Sequence, residues 1–275
     1  MTLFETLVER YNPQNEEQRT NAQRETMQKI ALAGLRRGGF FEHAAFYGGT
    51  CLRLVHGLKR FSEDMDFSLT EKSADIHLEN FFQPIVEEFA LMELPVEIQK
   101  KDKKIFGRVE SAFLKESTEA YEIKFQTRKM MKVKIELDTD PPLLFSTEQK
   151  ILSEPYAFPI RCFTLPSLYA GKMHALVYRS WQRRIKGRDW YDFEWYVNNR
   201  VPLEFTHLQE RIREFSGKVV TQEEFRQLLH DKLANTDIEM VKQDVLPFIY
   251  GHNSRELDFW SNEYFLQLAE RIVWK

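Results

Sequence analysis

Cysteine is scarce in this sequence, and long apolar runs are missing. The 275 residues include two cysteines, Cys51 and Cys162, which lie far apart and in no paired motif. We therefore expect neither a disulfide framework nor a cysteine-based zinc site, and a reducing intracellular compartment fits this composition. No stretch approaches the ~18 consecutive apolar residues of a membrane-spanning helix, and the amino terminus lacks the pattern of a signal peptide. These features predict a cytoplasmic protein without a membrane partner.

The sequence also lacks a strong charge of one sign. Its 39 lysine and arginine residues face 42 acidic residues, which leaves a net charge of -3. This balance predicts that any basic surface is local. Walker and dinucleotide-binding glycine motifs are missing, and no Ser-His-Asp motif is recognisable, which argues against ATPases, dinucleotide enzymes and serine hydrolases. The histidines at positions 43, 56 and 174 are scattered, so no role is predicted for them.

Hydrophobic periodicity predicts an α+β arrangement for the first part of the chain. An amphipathic helix is expected over residues 15–37, followed by a short strand at 44–47, a glycine turn and a helix at 51–58. Alternation with a period of two over about residues 94–138 predicts three or four antiparallel strands. Phenylalanine occurs 22 times, so we also expect a core rich in this residue.

The second part of the chain is predicted to be mainly helical. Helices are expected over residues 167–184 and 261–275, on the basis of their apolar periodicity. Composition changes somewhere within residues 141–166. We therefore divide the chain into an α+β core at 1–150 and a helical domain at 151–275.

Two acidic residues, Asp64 and Asp66, lie two positions apart in a segment whose alternation predicts a strand. Side chains at this spacing point to the same face. Two carboxylates so close repel each other unless a cation lies between them, and phosphoryl-transfer enzymes use such pairs to bind Mg²⁺. For an isolated Asp-x-Asp pattern, a solvated strand face is the simpler interpretation.

A glycine turn, Gly48-Gly49-Thr50, precedes this acidic pair between a predicted strand and a helix. Glycines let backbone N–H groups approach a phosphate, the start of a helix favours an anion, and the Thr50 hydroxyl adds one donor. Alone, such a turn is usually only a tight turn. Together, the turn and the acidic strand predict triphosphate oxygens placed beside metal ligands.

A third carboxylate is expected on a neighbouring strand, because two metal ions need one. Glu136 lies in the middle of the alternating segment at 131–138, and Asp138 on the same face is the substitute candidate. A solvent-facing sheet edge explains either residue equally simply.

A basic segment begins the predicted helical part: Lys172, Arg179, Arg183, Lys186 and Arg188. Lys172 and Arg179 are two turns apart and so share a helix face, where their charge is suited to a triphosphate and leaving pyrophosphate. A solvated basic helix face is the simpler alternative. Asp189 and Asp192 have an alternative interpretation as helix N-caps.

Two runs of the first part resemble the AbiEii/AbiGii toxin family of nucleotidyltransferases. They are Phe-Tyr-Gly-Gly-Thr-Cys-Leu-Arg-Leu at 46–54 and Arg-Phe-Ser-Glu-Asp-Met-Asp-Phe at 60–67. Weaker similarity covers most of the chain from about residue 22, including Val133–Leu137, Lys172–Leu176 with Arg179, and Lys186–Phe193. Cys51 replaces a small aliphatic residue of many relatives, and we expect this to affect packing rather than chemistry.

The resemblance implies a polymerase-β-like nucleotidyltransferase core, with a mixed or antiparallel sheet and flanking helices, followed by a helical region. It implies NTP as substrate, Mg²⁺ or Mn²⁺ as cofactor, and RNA as acceptor, which is tRNA for some members of the family. It also implies the toxin role in a toxin–antitoxin or phage-defence pair, with a cognate antitoxin as partner. The residues implied to be catalytic are Asp64, Asp66, Glu136 and Lys172, the first three as metal ligands. Those implied to bind nucleotide or phosphate are Gly48, Gly49, Thr50, Ser62, Arg179, Arg188 and Asp189.

Other functions are compatible with the same residues. A non-catalytic nucleotide- or RNA-binding module releases no pyrophosphate, and a metal-dependent nuclease shortens its substrate without NTP. A nucleotidyltransferase that modifies a small molecule or a protein differs only in its acceptor.

Overall fold

The computed structural model describes residues 1–101, 117–125, 131–179, 185–249 and 251–275. It divides into two compact units, each assembled from separate segments of the chain. The first unit comprises Met1–His56, Glu63–Pro141 and Thr147–Cys162. The second comprises Gly57–Ser62, Pro142–Ser146 and Phe163–Lys275. The domain boundary between residues 150 and 151 stays a prediction.

Within the described part of the chain, seven strands form one mixed sheet in the first unit. They are β1 (Ala44–Tyr47), β2 (Met65–Leu69), β3 (Val96–Lys100), β4 (Thr118–Phe125), β5 (Met131–Asp138), β6 (Thr147–Leu152) and β7 (Phe158–Phe163). Their order is β3-β4-β5-β2-β1-β7-β6. Strands β3, β4 and β5 are antiparallel neighbours, as predicted for this region. Strand β2 is antiparallel to β1 but parallel to β5, and β1 is parallel to β7.

Among the described residues of the first unit, four α-helices occur: α1 (Leu3–Glu9), α2 (Glu16–Arg37), α3 (Gly48–His56) and α4 (Phe82–Leu91). Short 3-10 helices lie at Phe40–Glu42 and Leu78–Phe81. The predicted helix at 15–37 is confirmed, since Asn15 caps α2 by accepting from the backbone N–H of Gln18. Helix α3 differs from its prediction because it begins at Gly48 itself rather than after the glycine turn.

Phenylalanine fills the core of the first unit, as predicted. The ring of Phe40 lies edge-on to Phe41, Phe67 and Phe81, with centroids 5.6, 5.1 and 5.0 Å away. Phe46 of β1 stacks on Phe67 of β2 at 5.0 Å. All five side chains are buried, and each contributes about 1.5–3 kcal/mol of hydrophobic stabilisation. This cluster holds the strands that precede and follow the glycine turn.

The second unit is mainly helical. Its α-helices are α5 (Leu165–Tyr178), α6 (Gly187–Asn198), α7 (Phe205–Ser216), α8 (Gln222–Asn235), α9 (Ile238–Val245) and α10 (Asn262–Ala269), with 3-10 helices at Leu246–Phe248 and Gly251–Phe259. Strands β8 (Pro202–Leu203) and β9 (Val273–Trp274) form a parallel pair. The predicted α+β fold with a helical carboxyl-terminal region is therefore confirmed.

Two predicted helices are shorter in the structure. Helix α5 ends at Tyr178, and residues 180–184, including Arg183, lie outside the described residues. The last helix ends at Ala269 because the chain then turns into β9. Among the described residues, no helix combines the length and apolarity needed to span a membrane.

Candidate active site

Three carboxylates lie on or beside two neighbouring strands at the centre of the sheet in the first unit. Asp64 immediately precedes β2, and Asp66 lies within it. Strand β2 runs parallel to β5 in a register that pairs Asp66 with Glu136 and Ser68 with Asp138. Because paired residues of neighbouring strands point to the same face, the side chains of Asp66 and Glu136 are neighbours. All three carboxylates are half-buried, so water reaches them only in part.

A positively charged lysine side chain lies beside these carboxylates. The ammonium group of Lys134, two residues before Glu136 on β5, forms an ion pair with Oε1 of Glu136. Burial alone lowers the pKa of Lys134, but the charges of Glu136, Asp64 and Asp66 outweigh it and raise the pKa. The charges of all three acidic groups therefore act on one positive charge.

The glycine turn is shaped around one of these carboxylates. Gly48 has a φ of 79°, in the left-handed region that favours glycine. A Cβ at this position would lie 2.2 Å from Oδ2 of Asp66, so the side chain of Asp66 occupies the space that any other residue would need. The same turn starts α3, where the first backbone N–H groups have no partner within the helix. The backbone N–H groups of Gly48 and Gly49 thus begin a helix beside an acidic side chain.

Thr50 connects the turn to the acidic segment. It is fully buried, and its hydroxyl donates to the main-chain oxygen of Asp64 rather than projecting outward as a phosphate donor. Helix α3 is also held by Arg53, whose guanidinium pairs with the nearly buried carboxylate of Glu25 on α2. Both contacts fix the position of the turn relative to Asp64.

In the second unit, a buried ion-pair network surrounds α6. Lys172 lies 3.1 Å from Oδ1 of Asp189 and 2.7 Å from Oδ2 of Asp192. The guanidinium of Arg60 donates two hydrogen bonds of 2.6 Å to Asp192, and both side chains are almost completely buried. Arg179 reaches Oδ2 of Asp189 at 3.2 Å. Every carboxylate of this network is thus paired with two cations.

The acidic groups of this network are held in their charged form. Burial alone would raise the pKa of Asp189, but Lys172, Arg179 and Lys186 hold it well below its usual range. Asp192 behaves in the same way: burial raises its pKa, and the charge of Arg60 and then of Lys172 outweighs this effect. A small cavity beside the network is lined by residues of the same unit, including Arg179, Lys186, Asp189 and Lys232.

Asp189 and Asp192 are not helix N-caps, which was the alternative interpretation of the sequence. Helix α6 begins at Gly187 with Lys186 in the N-cap position, so both aspartates lie inside the helix. Gly187 is required there, because a Cβ would lie 2.0 Å from the main-chain oxygen of Val241. The two carboxylates therefore serve the ion-pair network and not the end of the helix.

Of the other predicted residues of the second unit, Arg179 belongs to this network, because it pairs with Asp189. Arg179 follows the last residue of α5, and its backbone N–H still donates to Ala175. The Arg188 guanidinium lies 4.2 Å from the centroid of the Phe248 ring. Ser62 is buried.

Sequence reasoning missed three residues of these two clusters: Lys134, Arg60 and Asp192 as an ion-pair partner. Arg60 stands in the Arg-Phe-Ser run and Asp192 four residues after Arg188, so both occur in the motifs that carried the resemblance. Lys134 lies two residues before Glu136 on β5, so the two side chains share one face of the strand. That spacing was the signal in the sequence that could have identified Lys134.

The model of one protein family matches most of the chain. Residues 30–257 match the family described as nucleotidyl transferase AbiEii toxin of type IV toxin–antitoxin systems. This range contains both acidic clusters, the glycine turn and all the predicted site residues. No curated protein matches the chain significantly.

Solved structures share the fold at low sequence identity. MenT4, a nucleotidyltransferase toxin from Mycobacterium tuberculosis, superposes with a TM-score of 0.55 at 14% identity, over 98% of both chains. JHP933 from Helicobacter pylori superposes with a TM-score of 0.51 at 16% identity, over 90% of this chain and 88% of the other.

Proposed function

Because the chain belongs to the AbiEii family of nucleotidyltransferase toxins of type IV toxin–antitoxin systems, we propose that it transfers a nucleotide from an NTP to a hydroxyl of RNA. The proposed bond forms between the acceptor oxygen and the α-phosphorus, and pyrophosphate leaves. The acceptor proton is lost to solvent. Since NTPs are the donors, the proposed place of action is the cytoplasm.

The convergence of Asp64, Asp66 and Glu136 carries this proposal. Their donor set consists of carboxylate oxygens, which Mg²⁺ and Mn²⁺ prefer. The raised pKa of Lys134 supports the fit, because one cation already responds to all three groups. Glu136 is preferred over Asp138 as the third ligand, because the register pairs it with Asp66.

A bound divalent cation supplies positive charge to the triphosphate and lowers the pKa of an acceptor hydroxyl. The side chains of the first unit hold that cation. We further propose that the backbone N–H groups of Gly48 and Gly49 bind phosphate oxygens, since they begin a helix and have no intrahelical partner. Thr50 maintains this geometry through its bond to Asp64.

Positively charged side chains of the second unit are proposed to bind negatively charged phosphate groups. Lys172 and Arg179 are held by Asp189, and the cavity beside them is lined by further cations, Lys186 and Lys232. Preorganised cations of this kind stabilise phosphates without reorganising during the reaction. We propose phosphate or nucleotide contacts for Lys172 and Arg179, with Asp189 as their positioning residue. Ser62 and Arg188 are proposed to bind nucleotide from the family resemblance alone.

A transfer assay tests the proposed activity. The purified protein is incubated with Mg²⁺ or Mn²⁺, each labelled NTP in turn, and total cellular RNA. Asp64→Asn should abolish labelling without loss of stability, because the variant removes one of three mutually repelling carboxylates. Asp75→Asn, at an exposed aspartate of the same unit, is the matched control and should label RNA normally.

The third ligand is tested in the same assay. Glu136→Gln should reduce transfer at least a hundredfold, and Asp138→Asn should have a smaller effect. A larger loss of transfer in Asp138→Asn than in Glu136→Gln would instead assign the third ligand to Asp138.

Label in a discrete RNA band supports the proposal and identifies both nucleotide and acceptor. Pyrophosphate release without labelled RNA would move the acceptor to a protein or small molecule. If NTP binds but neither labelled RNA nor pyrophosphate is formed, the protein is a non-catalytic binding module. An antitoxin partner is proposed from the family, and co-expression with the neighbouring gene product should suppress growth inhibition by the wild-type chain.

A further inference from the structure

Three side chains with soft metal-ligating atoms meet in the first unit, away from the carboxylates. They are Cys51, His56 and Cys162, whose two Sγ atoms and imidazole nitrogen all lie within 4.8 Å of one another. Both cysteines are completely buried, and His56 is half-buried. No motif in the sequence indicates this proximity, because the three residues lie far apart or outside any paired pattern.

The fold explains how residues so far apart in the chain come together. Cys51 and His56 lie near the start and at the end of α3. Cys162 lies on β7, in register with Phe46 of β1, and β1 leads directly into Gly48. The cluster thus joins α3 to the strand next to β1.

The donor set is that of a zinc site rather than a magnesium site. Two sulfurs and one imidazole nitrogen are the ligands that Zn²⁺ and related ions prefer, whereas Mg²⁺ requires oxygen. Zinc–sulfur bonds of ~2.3 Å and zinc–nitrogen bonds of ~2.0 Å imply ligand separations of roughly 3.5–3.8 Å around a tetrahedral ion. Since the three ligand atoms lie within 4.8 Å of one another, a contraction of at most about 1.3 Å brings them to these separations.

One buried polar atom of the cluster lacks a hydrogen-bond partner among the described residues. Nε2 of His56 is buried and has no hydrogen-bond partner within the described part of the chain, whereas buried polar atoms nearly always have one.

We propose that Cys51, His56 and Cys162 bind one zinc-class transition-metal ion, with solvent at the fourth position. The ion bridges α3 and β7 and so fixes the helix whose first residues form the glycine turn. It is structural and separate from the divalent cation of the carboxylates. The inference stands independently of the proposed transfer reaction.

Cobalt substitution tests the site with a readout that does not depend on activity. The chain is purified under reducing conditions, stripped with a chelator, and titrated with Co²⁺ and then Zn²⁺. A thiolate-to-cobalt charge-transfer absorption should appear, saturate at one ion per chain, and be displaced by Zn²⁺. Carboxylate-bound cobalt gives no such band, so ions at Asp64 or Asp66 are not mistaken for this site.

Two variants and one control make the test specific. Cys162→Ser should lose the charge-transfer band. His56→Gln should weaken cobalt binding roughly tenfold or more. His230→Gln, at an exposed histidine of α8, should bind as the wild type does. A reduced wild-type chain without the band would overturn the proposal, as would a Cys51–Cys162 disulfide found by mass spectrometry in protein purified without reductant.

Discussion

Replacing Gly48 by alanine separates the geometry of the glycine turn from the stability of the fold. Gly48 and Gly57 have almost the same backbone conformation, with φ of 79° and 78°. Alanine is strained at both positions, by about 1–2 kcal/mol. A Cβ at Gly48 would lie 2.2 Å from Oδ2 of Asp66, whereas a Cβ at Gly57 meets nothing within 4 Å. Gly57→Ala is therefore a matched control for backbone strain.

The two variants should differ in metal binding more than in stability. The clash at Gly48 involves the carboxylate end of Asp66, which relieves it by rotating away from the other ligands. We expect both variants to lose about 1–2 kcal/mol of unfolding free energy. Only Gly48→Ala should also weaken Mn²⁺ binding tenfold or more, which corresponds to about 1.4 kcal/mol or more.

Urea denaturation measures the unfolding free energy, and calorimetric titration with Mn²⁺ measures the affinity. The reasoning is refuted if Gly48→Ala binds Mn²⁺ as tightly as Gly57→Ala does. In that case either Asp66 keeps its position beside the new methyl group or it is not a ligand. A far larger loss of stability in Gly48→Ala would show that the backbone, and not Asp66, absorbs the clash.

Three further perturbations test the charges described above. Lys134→Met should tighten Mn²⁺ binding roughly tenfold, because the ammonium competes for the same carboxylates, and Lys134→Arg should not; equal affinities of the two variants would argue against competition. Asp192→Asn should cost about 3–5 kcal/mol in urea denaturation, because Arg60 keeps a buried charge with one partner removed, and replacing both residues by apolar ones should recover part of this loss. Burial lowers the pKa of His207 from its usual 6.5 to about 3, so the unfolded chain binds a proton first as the pH falls. The unfolding free energy should therefore fall below about pH 6.5, by about 2 kcal/mol at pH 5, and His207→Gln should flatten that part of the curve.

Local patterns in the sequence predicted the elements that carry the candidate site, but not their pairing. Alternation identifies Glu136 and Asp138 as residues on one face of β5. It does not say which of them lies beside Asp66. That depends on the register between β2 and β5, which is set by tertiary packing across the sheet. The third carboxylate was therefore left open by the sequence.

Contacts between distant residues left no trace in a single sequence. Arg60 and Asp192 occur in separate motifs, and nothing local indicates that the two are bonded. Cys51 and Cys162 are likewise joined only by the parallel pairing of β1 and β7. The last helix was predicted too long for a related reason. Its apolar periodicity continues, but backbone bonds between Lys275 and the segment at 203–205 draw the end of the chain into a strand.

The bond between Arg60 and Asp192 also orders events during protein synthesis. Asp192 follows Arg60 by 132 residues, which a ribosome adds in roughly 7–26 s. Until then the arginine has no carboxylate to accept its two hydrogen bonds, and burying it unpaired costs several kcal/mol. A nascent chain that stops before α6 therefore lacks a stable second unit. Such a fragment should be open to proteases, and the second unit acquires its stable fold only after α6 has been made.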